Sequence, residues 1–186
     1  MTEMEIPRIR KHHKFVDSRG SSSRLFEINE MALLRNGHLY ILEVKNAQIG
    51  TVRGMHMQTV GLSGPKLLTV RQGRIFDLCI DMRDESPNRG QIYSGVLSDF
   101  KNETLVIPAG FLHGYQVLEP NTEVVYALDE KPSIGTSNNF KPTSNSISLC
   151  WPLTLTVVSD SDLEAPDLDN YPGLTISLSQ ITFGTE

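Results

Sequence analysis

Two histidines 57 residues apart sit in settings suited to proton chemistry. His56 lies in Val52-Arg53-Gly54-Met55-His56-Met57-Gln58, and His113 lies in Ile107-Pro108-Ala109-Gly110-Phe111-Leu112-His113-Gly114-Tyr115. Each reads either as a buried imidazole satisfied by hydrogen bonds or as an acid, base or hydrogen-bond donor. A metal reading needs a second imidazole or carboxylate at strand spacing from His56. Gln58 stands there, and an amide is a poor ligand for zinc or iron, so no metal is expected. Lys66, at the start of an apolar run, is either a solvated strand end or a cation beside a developing oxyanion. Tyr126, in Glu123-Val124-Val125-Tyr126-Ala127, is either a core residue or a general acid lining a polar cavity. Asp160 and Asp162 lie in a polar stretch that, by itself, reads as a solvated loop.

Strand signals dominate the elements that must carry these groups. His38 to Val44, Lys66 to Arg71, Arg74 to Met82, Gln91 to Leu97, Glu103 to Ile107, Tyr115 to Leu118 and Glu123 to Leu128 are β-prone runs separated by turn residues. Gln72-Gly73 between two of them predicts a β-hairpin, with glycine supplying positive φ. If strand alternation holds, Gln58 shares the face of His56, and Arg53 and Met55 point away unless a bulge intervenes. Many short strands at similar spacing predict an antiparallel sandwich or barrel, all-β, with few short helices. One helix is expected over Ile28 to Arg35, with Asn29 as its cap. Glu130 to Ser146 reads as a loop. No boundary divides the chain. It reads as a single domain over 1–186, with an N-terminal arm over about 1–37 and a C-terminal tail over about 153–186 that packs outside the barrel.

The 186 residues are enough to bury a sizeable core, and the composition is that of a globular protein. A net charge of -5 argues against nucleic acid or an anionic membrane surface as the main partner, while leaving room for a small anionic ligand held by local cations. Cys79 and Cys150 each sit in an apolar run outside any C-x-x-C pattern, so free buried thiols are expected. The first residues lack the apolar core of a signal peptide, and no stretch of 18 apolar residues exists. A cytoplasmic location is therefore expected.

Taken in order, these segments resemble the dTDP-4-dehydrorhamnose 3,5-epimerase family, sugar-nucleotide epimerases of the cupin superfamily. The likeness covers roughly residues 15 to 170. The family's Leu-Arg-Gly-Leu-His-Phe-Gln appears as Val52-Arg53-Gly54-Met55-His56-Met57-Gln58, and Gly-Lys-Leu-Val as Pro65-Lys66-Leu67-Leu68. Gly-Glu-Val-Phe-Asp-Val appears as Gly73-Arg74-Ile75-Phe76-Asp77-Leu78, and Ser-Pro-Thr-Phe-Gly-Gln as Ser86-Pro87-Asn88-Arg89-Gly90-Gln91. Ile-Pro-Glu-Gly-Phe-Ala-His-Gly-Phe appears as the run from Ile107 to Tyr115.

The resemblance implies a cupin-type antiparallel jelly-roll barrel and an isomerase without metal or redox cofactor. It would invert C3, C5 or both in a nucleotide-linked 4-keto-6-deoxy sugar during deoxysugar biosynthesis. It implies His56 as the base that removes the proton α to the C4 ketone, with Asp162, or Asp160 in its place, as the aspartate that orients it. Lys66 would lie near the C4 oxygen, and Tyr126 would return a proton from the opposite face. His113 becomes the second active-site histidine. Arg53 would contact the pyrophosphate, and Arg19 would be a second phosphate arginine that can come from a partner subunit. Glu27 and Gln58 fall in the matched binding segments. A homodimer with N-terminal segments crossing between subunits is also implied.

Departures bear on the substrate. The family's Gln-x-Asn-x-Ser-x-Ser strand, counted back from Arg53 without gaps, falls on Ile41, Glu43, Lys45 and Ala47. That register would put a carboxylate and an ammonium in the sugar pocket. The aromatic Tyr-Tyr-Ser-Pro segment is replaced by Asp129-Glu130-Lys131-Pro132, so the base need not be thymine. Three rivals share the scaffold: a nucleotide-sugar 3,4-ketoisomerase, a non-catalytic sugar-nucleotide binding module and a metal-dependent cupin oxygenase.

Overall fold

The structure is a computed structural model that describes residues 5–26, 39–57, 64–128 and 139–185. Its strands are β1 (Arg8–Lys11), β2 (Lys14–Asp17), β3 (Gly20–Ser23), β4 (Tyr40–Asn46), β5 (Val52–Met57), β6 (Lys66–Gln72), β7 (Arg74–Asp81), β8 (Gln91–Ser98), β9 (Glu103–Ile107), β10 (Phe111–Val117), β11 (Thr122–Leu128), β12 (Ser177–Thr182) and β13 (Gly184–Thr185). Two four-residue helices follow the main strands, α1 (Asn145–Ser148) and α2 (Asp160–Leu163). The helix expected over Ile28 to Arg35 lies outside the described residues.

Two sheets carry the fold. One runs β13-β1-β9-β6-β11-β4 and the other β12-β8-β7-β10-β5, while β2 and β3 pair only with each other. Leu68, Val124 and Tyr126 from the first sheet meet Ile75, Tyr93 and Tyr115 from the second in one buried cluster. This is the packed interior of a jelly roll, each strand turning alternate residues inward. The second sheet buries its other face as well: Val52, Met55, Leu78 and Leu112 pack under Phe140, Ile147 and Trp151.

The hairpin expected around Gly73 does not form. β6 belongs to the first sheet and β7 to the second, so the chain turns a corner between sheets instead of folding back on itself. Gly73 does adopt positive φ, +78°, and a Cβ there would press on Thr122. A corner and a tight hairpin need the same turn residue and the same alternation, so the sequence pattern is blind to the difference.

The segment after Trp151 does not stay outside the sheets. β12 adds parallel to β8, and β13 adds parallel to β1, with Arg8 opposite Gly184. Earlier in the same segment, Val52 N–H donates to Val157 O at 2.8 Å. Phe140 and Met55 exchange a pair of backbone bonds at 3.0 Å. These bridges cover the outer edge of β5. Cys79 and Cys150 are free and buried. Among the described residues, no helix is long and apolar enough to cross a membrane.

β5 departs from plain alternation where it matters. His113 of β10 lies opposite His56 and Tyr115 opposite Arg53, so Gly54 and Met55 together face Gly114. This bulge adds one residue to β5 and shifts its phase. Gly54 has φ +120°, and a Cβ there would stand 2.8 Å from both Gly114 Cα and His113 O. Gly54→Ala is therefore expected to lose about 2–4 kcal/mol of stability, read as a lowered urea midpoint.

Candidate active site

His56 is the group at the mouth of the cavity, its side chain 43% exposed. Its Nε2–H donates to Asp162 Oδ1 at 2.7 Å, which leaves Nδ1 with the free lone pair. Asp162 is held from three sides. Ser159 caps α2, its Oγ accepting from Asp162 N–H at 3.2 Å. The Val157–Thr51 bridge fixes the segment against β5. Gly54 N–H donates to Asp162 Oδ2 at 3.5 Å. Burial opposes ionisation of this carboxyl, but the bonds from His56 and Gly54 outweigh it and hold its pKa below the ordinary aspartate value. Asp162 is buried and Asp160 is exposed, so Asp162 is the aspartate that meets the histidine.

A second acid–histidine pair lies deeper. His113 Nε2–H donates to Asp77 Oδ2 at 2.9 Å, with both side chains essentially without solvent contact. Burial lowers the pKa of His113, which keeps it neutral. Its Nδ1 then accepts from Lys66 Nζ at 3.4 Å. Burial also lowers the Lys66 pKa, to about 8, against the raising influence of nearby Asp77. A partly desolvated ammonium is a stronger local source of positive charge than one in bulk water, because water screens it less.

Tyr126 faces this pair across the cavity, its ring 6.3 Å from that of His113 and edge-on to it. It comes from β11 of the first sheet, as Lys66 comes from β6. His56 and His113 come from β5 and β10 of the second. Burial pushes the Tyr126 pKa well above that of a free phenol.

The bulge brings Arg53 onto the face of His56, although plain alternation had turned it away. Arg53 Nε–H donates to Asn46 Oδ1 at 2.7 Å, while Arg53 itself stays exposed. Met55 points instead into the outer cluster with Val52 and Met57.

Glu43 and Lys45 do not line the cavity. Lys45 Nζ lies 3.0 Å from Glu123 and 3.7 Å from Glu43, all on the far side of the first sheet. Val44 packs against the interior cluster, and Asn46 bonds to Arg53 and Tyr115. The inward positions of β4 are thus Leu42, Val44 and Asn46, one residue out of step with the ungapped count, and a one-residue slip exchanges the two faces of a strand.

Arg19 sits on the β2–β3 turn, 88% exposed and bonded to Asp17. Among the described residues nothing joins it to this cavity. Gln58 and Glu27 lie outside the described residues.

Asp77, Asn46 and Tyr115 belong to the site but were not singled out from the sequence. Asp77 carried a signal: one acidic residue in the otherwise apolar run Ile75 to Ile80.

The site therefore places a histidine with a free nitrogen, a cation of lowered pKa and a buried phenol around one cavity, with acid and base on facing sheets. That suits removal of a proton beside a carbonyl and its return from the other side.

The chain is similar to known proteins over most of its length. The family model for dTDP-4-dehydrorhamnose 3,5-epimerase matches residues 2–170. A dTDP-4-dehydrorhamnose 3,5-epimerase of Sinorhizobium fredii (strain NBRC 101917 / NGR234) is 32% identical over 167 residues, 86% of this chain and 83% of its own length. One from Neisseria gonorrhoeae is 32% identical over 170 residues, 87% of this chain, and this chain spans 50% of its length. The crystal structure of dTDP-4-dehydrorhamnose 3,5-epimerase from Bacillus anthracis str. Ames, with TDP and PPi bound, superposes with a TM-score of 0.77. It is 29% identical, with 87% of this chain and 94% of that chain covered. Sequence, fold and cavity lead to one conclusion: the chain belongs to the dTDP-4-dehydrorhamnose 3,5-epimerase family.

Proposed function

We propose that this protein is an isomerase that inverts C3, C5 or both in a dTDP-linked 4-keto-6-deoxy sugar. The observation that carries this reading is the His56–Asp162 bond on one sheet facing Lys66 and Tyr126 on the other. His56 Nδ1 takes the proton α to the C4 ketone, and the electron pair moves onto the C4 oxygen as an enolate. Lys66, held by the acceptor nitrogen of His113, supplies positive charge and a hydrogen bond to that oxygen. Tyr126 then gives its proton to the same carbon from the opposite face. One proton leaves, one returns and no electrons are exchanged, so the chemistry itself calls for no redox partner. Arg53 is assigned to the diphosphate.

Proton NMR of dTDP-4-keto-6-deoxy-glucose in D2O tests the reaction. Deuterium is expected at C3, C5 or both, with loss of about 10²–10⁴-fold in rate for His56→Asn. Exchange that survives unchanged in that variant would remove His56 from the mechanism. A 3-keto product would identify a ketoisomerase instead.

Lys66 gives a test with two opposite signs. Activity is expected to decline as pH rises through about 8, where the ammonium is lost. Below that pH the folded state carries a charge it disfavours. This cost fades between about 8 and the ordinary lysine value of 10.5 and is absent above it. Lys66→Met should therefore abolish turnover yet raise stability by roughly 1–3 kcal/mol at pH 7, with the gain vanishing at high pH. Urea unfolding at several pH values measures it, and a loss of stability at pH 7 would count against the lowered pKa.

We further propose a homodimer in which Arg19 serves the partner's site. Two features support it: Arg19 is exposed and joined to no group of its own cavity among the described residues, and neighbouring Phe15 and Val16 are 55% and 73% exposed. Mixing inactive Arg19→Ala and His56→Asn proteins under subunit exchange should restore activity, because one site of each mixed dimer regains both groups. No recovery would place Arg19 elsewhere.

A further inference from the structure

The proton donor assigned above is not alone in its part of the cavity. Tyr115 of β10 is wholly buried. Its hydroxyl lies beside that of Tyr126 in the same buried cluster, so that each phenol affects the ionisation of the other. Asn46 holds the other side of it: Nδ2–H donates to Tyr115 Oη at 3.2 Å, and Tyr115 O–H can donate to Oδ1 at 3.4 Å. The amide is itself fixed, because Nδ2 also donates to Thr122 O at 3.2 Å and Oδ1 accepts from Arg53 Nε–H at 2.7 Å. A hydrogen-bonded chain thus runs Arg53, Asn46, Tyr115, and Tyr126 stands at its end.

We propose that Tyr115 is a positioning residue that makes Tyr126 a competent proton donor, and that Asn46 ties this pair to the diphosphate cation Arg53. The proposal rests on the reading of Tyr126 as the acid. A buried phenol resists losing its proton, since the phenolate is left without water. A neighbouring hydroxyl that can reverse its hydrogen bond offsets this resistance. In the resting site Tyr126 O–H points at Tyr115 Oη, and Tyr115 O–H points at Asn46 Oδ1; bound substrate draws the Tyr126 O–H towards its carbon. After Tyr126 has given its proton to carbon, Tyr115 O–H turns to the phenolate oxygen. Asn46 Nδ2–H then remains as the donor to Tyr115 Oη. Each bond changes direction and no further proton is consumed. The same amide oxygen receives Arg53, so seating a diphosphate on Arg53 also steadies the group that orients Tyr115.

Tyr115→Phe keeps the ring and removes the hydroxyl. In D2O with dTDP-4-keto-6-deoxy-glucose, inversion is expected to fall about tenfold while His56-dependent deuterium exchange and KM stay within about twofold, so that exchange outruns inversion. Inversion at the parent rate, or equal loss of exchange and inversion, would overturn the proposal. Asn46→Ala provides a second arm: a raised KM together with slowed inversion is expected, and an unchanged KM would break the link to Arg53. Tyr126→Phe run alongside separates the two levels. If it inverts normally, the assignment of the acid fails; if it does not, while Tyr115→Phe does, only the role of Tyr115 fails.

Discussion

Arg53 and His56 stand three residues apart on one strand yet face the same cavity, and the bulge opposite Gly114 makes that possible. Without the extra residue, period-two alternation would send one of them into the outer cluster beside Trp151. The bulge also turns Gly54 N–H towards Asp162, so one backbone irregularity sets His56, Asp162 and Arg53 together. Two glycines are needed because the strands pass too closely for a Cβ on either side: at Gly114 it would meet Met55 Sδ at 2.7 Å.

The two acid–histidine pairs differ in surroundings and so in duty. His56–Asp162 lies at the mouth, where the imidazole is 43% exposed. His113–Asp77 is sealed, and there burial keeps the imidazole neutral and turns its Nδ1 towards Lys66. The sealed pair is thus fixed on both ring nitrogens, while the open one leaves its Nδ1 free. The interior that lowers the Lys66 pKa is also the one that raises those of Tyr115 and Tyr126, so the cavity disfavours resting charge on each of these groups. The bonds between them limit how much it does so.

Much of this was legible in the sequence because the groups concerned are conspicuous. A histidine after Arg-Gly-Met, a second after Pro-Ala-Gly-Phe-Leu and a lysine opening an apolar run stand out in chemistry and spacing. Strands form close to where the alternation put them. What stayed hidden depends on pairing. Period two looks alike on either side of a corner, so β6 and β7 read as a hairpin. It also looks alike after a slip of one residue, so Glu43 and Lys45 read as lining the pocket when Val44 and Asn46 do. Arg53 was turned away because a bulge leaves only Gly54 as its trace. Asp162 could be matched from its motif, but its burial comes from the Val157–Thr51 bridge, a contact across more than 100 residues.

That bridge also sets how far the orientation of His56 depends on distant sequence. His56 is on β5, but the carboxylate bonded to it lies about a hundred residues later, on a segment whose continuation pairs with β8 and β1 through β12 and β13. Loosening the segment around Val157 would free His56 from Asp162 while the pairing of β5 with β10 still stands. The orientation of that one ring is thus a property of the assembled chain and not of the strand that bears it.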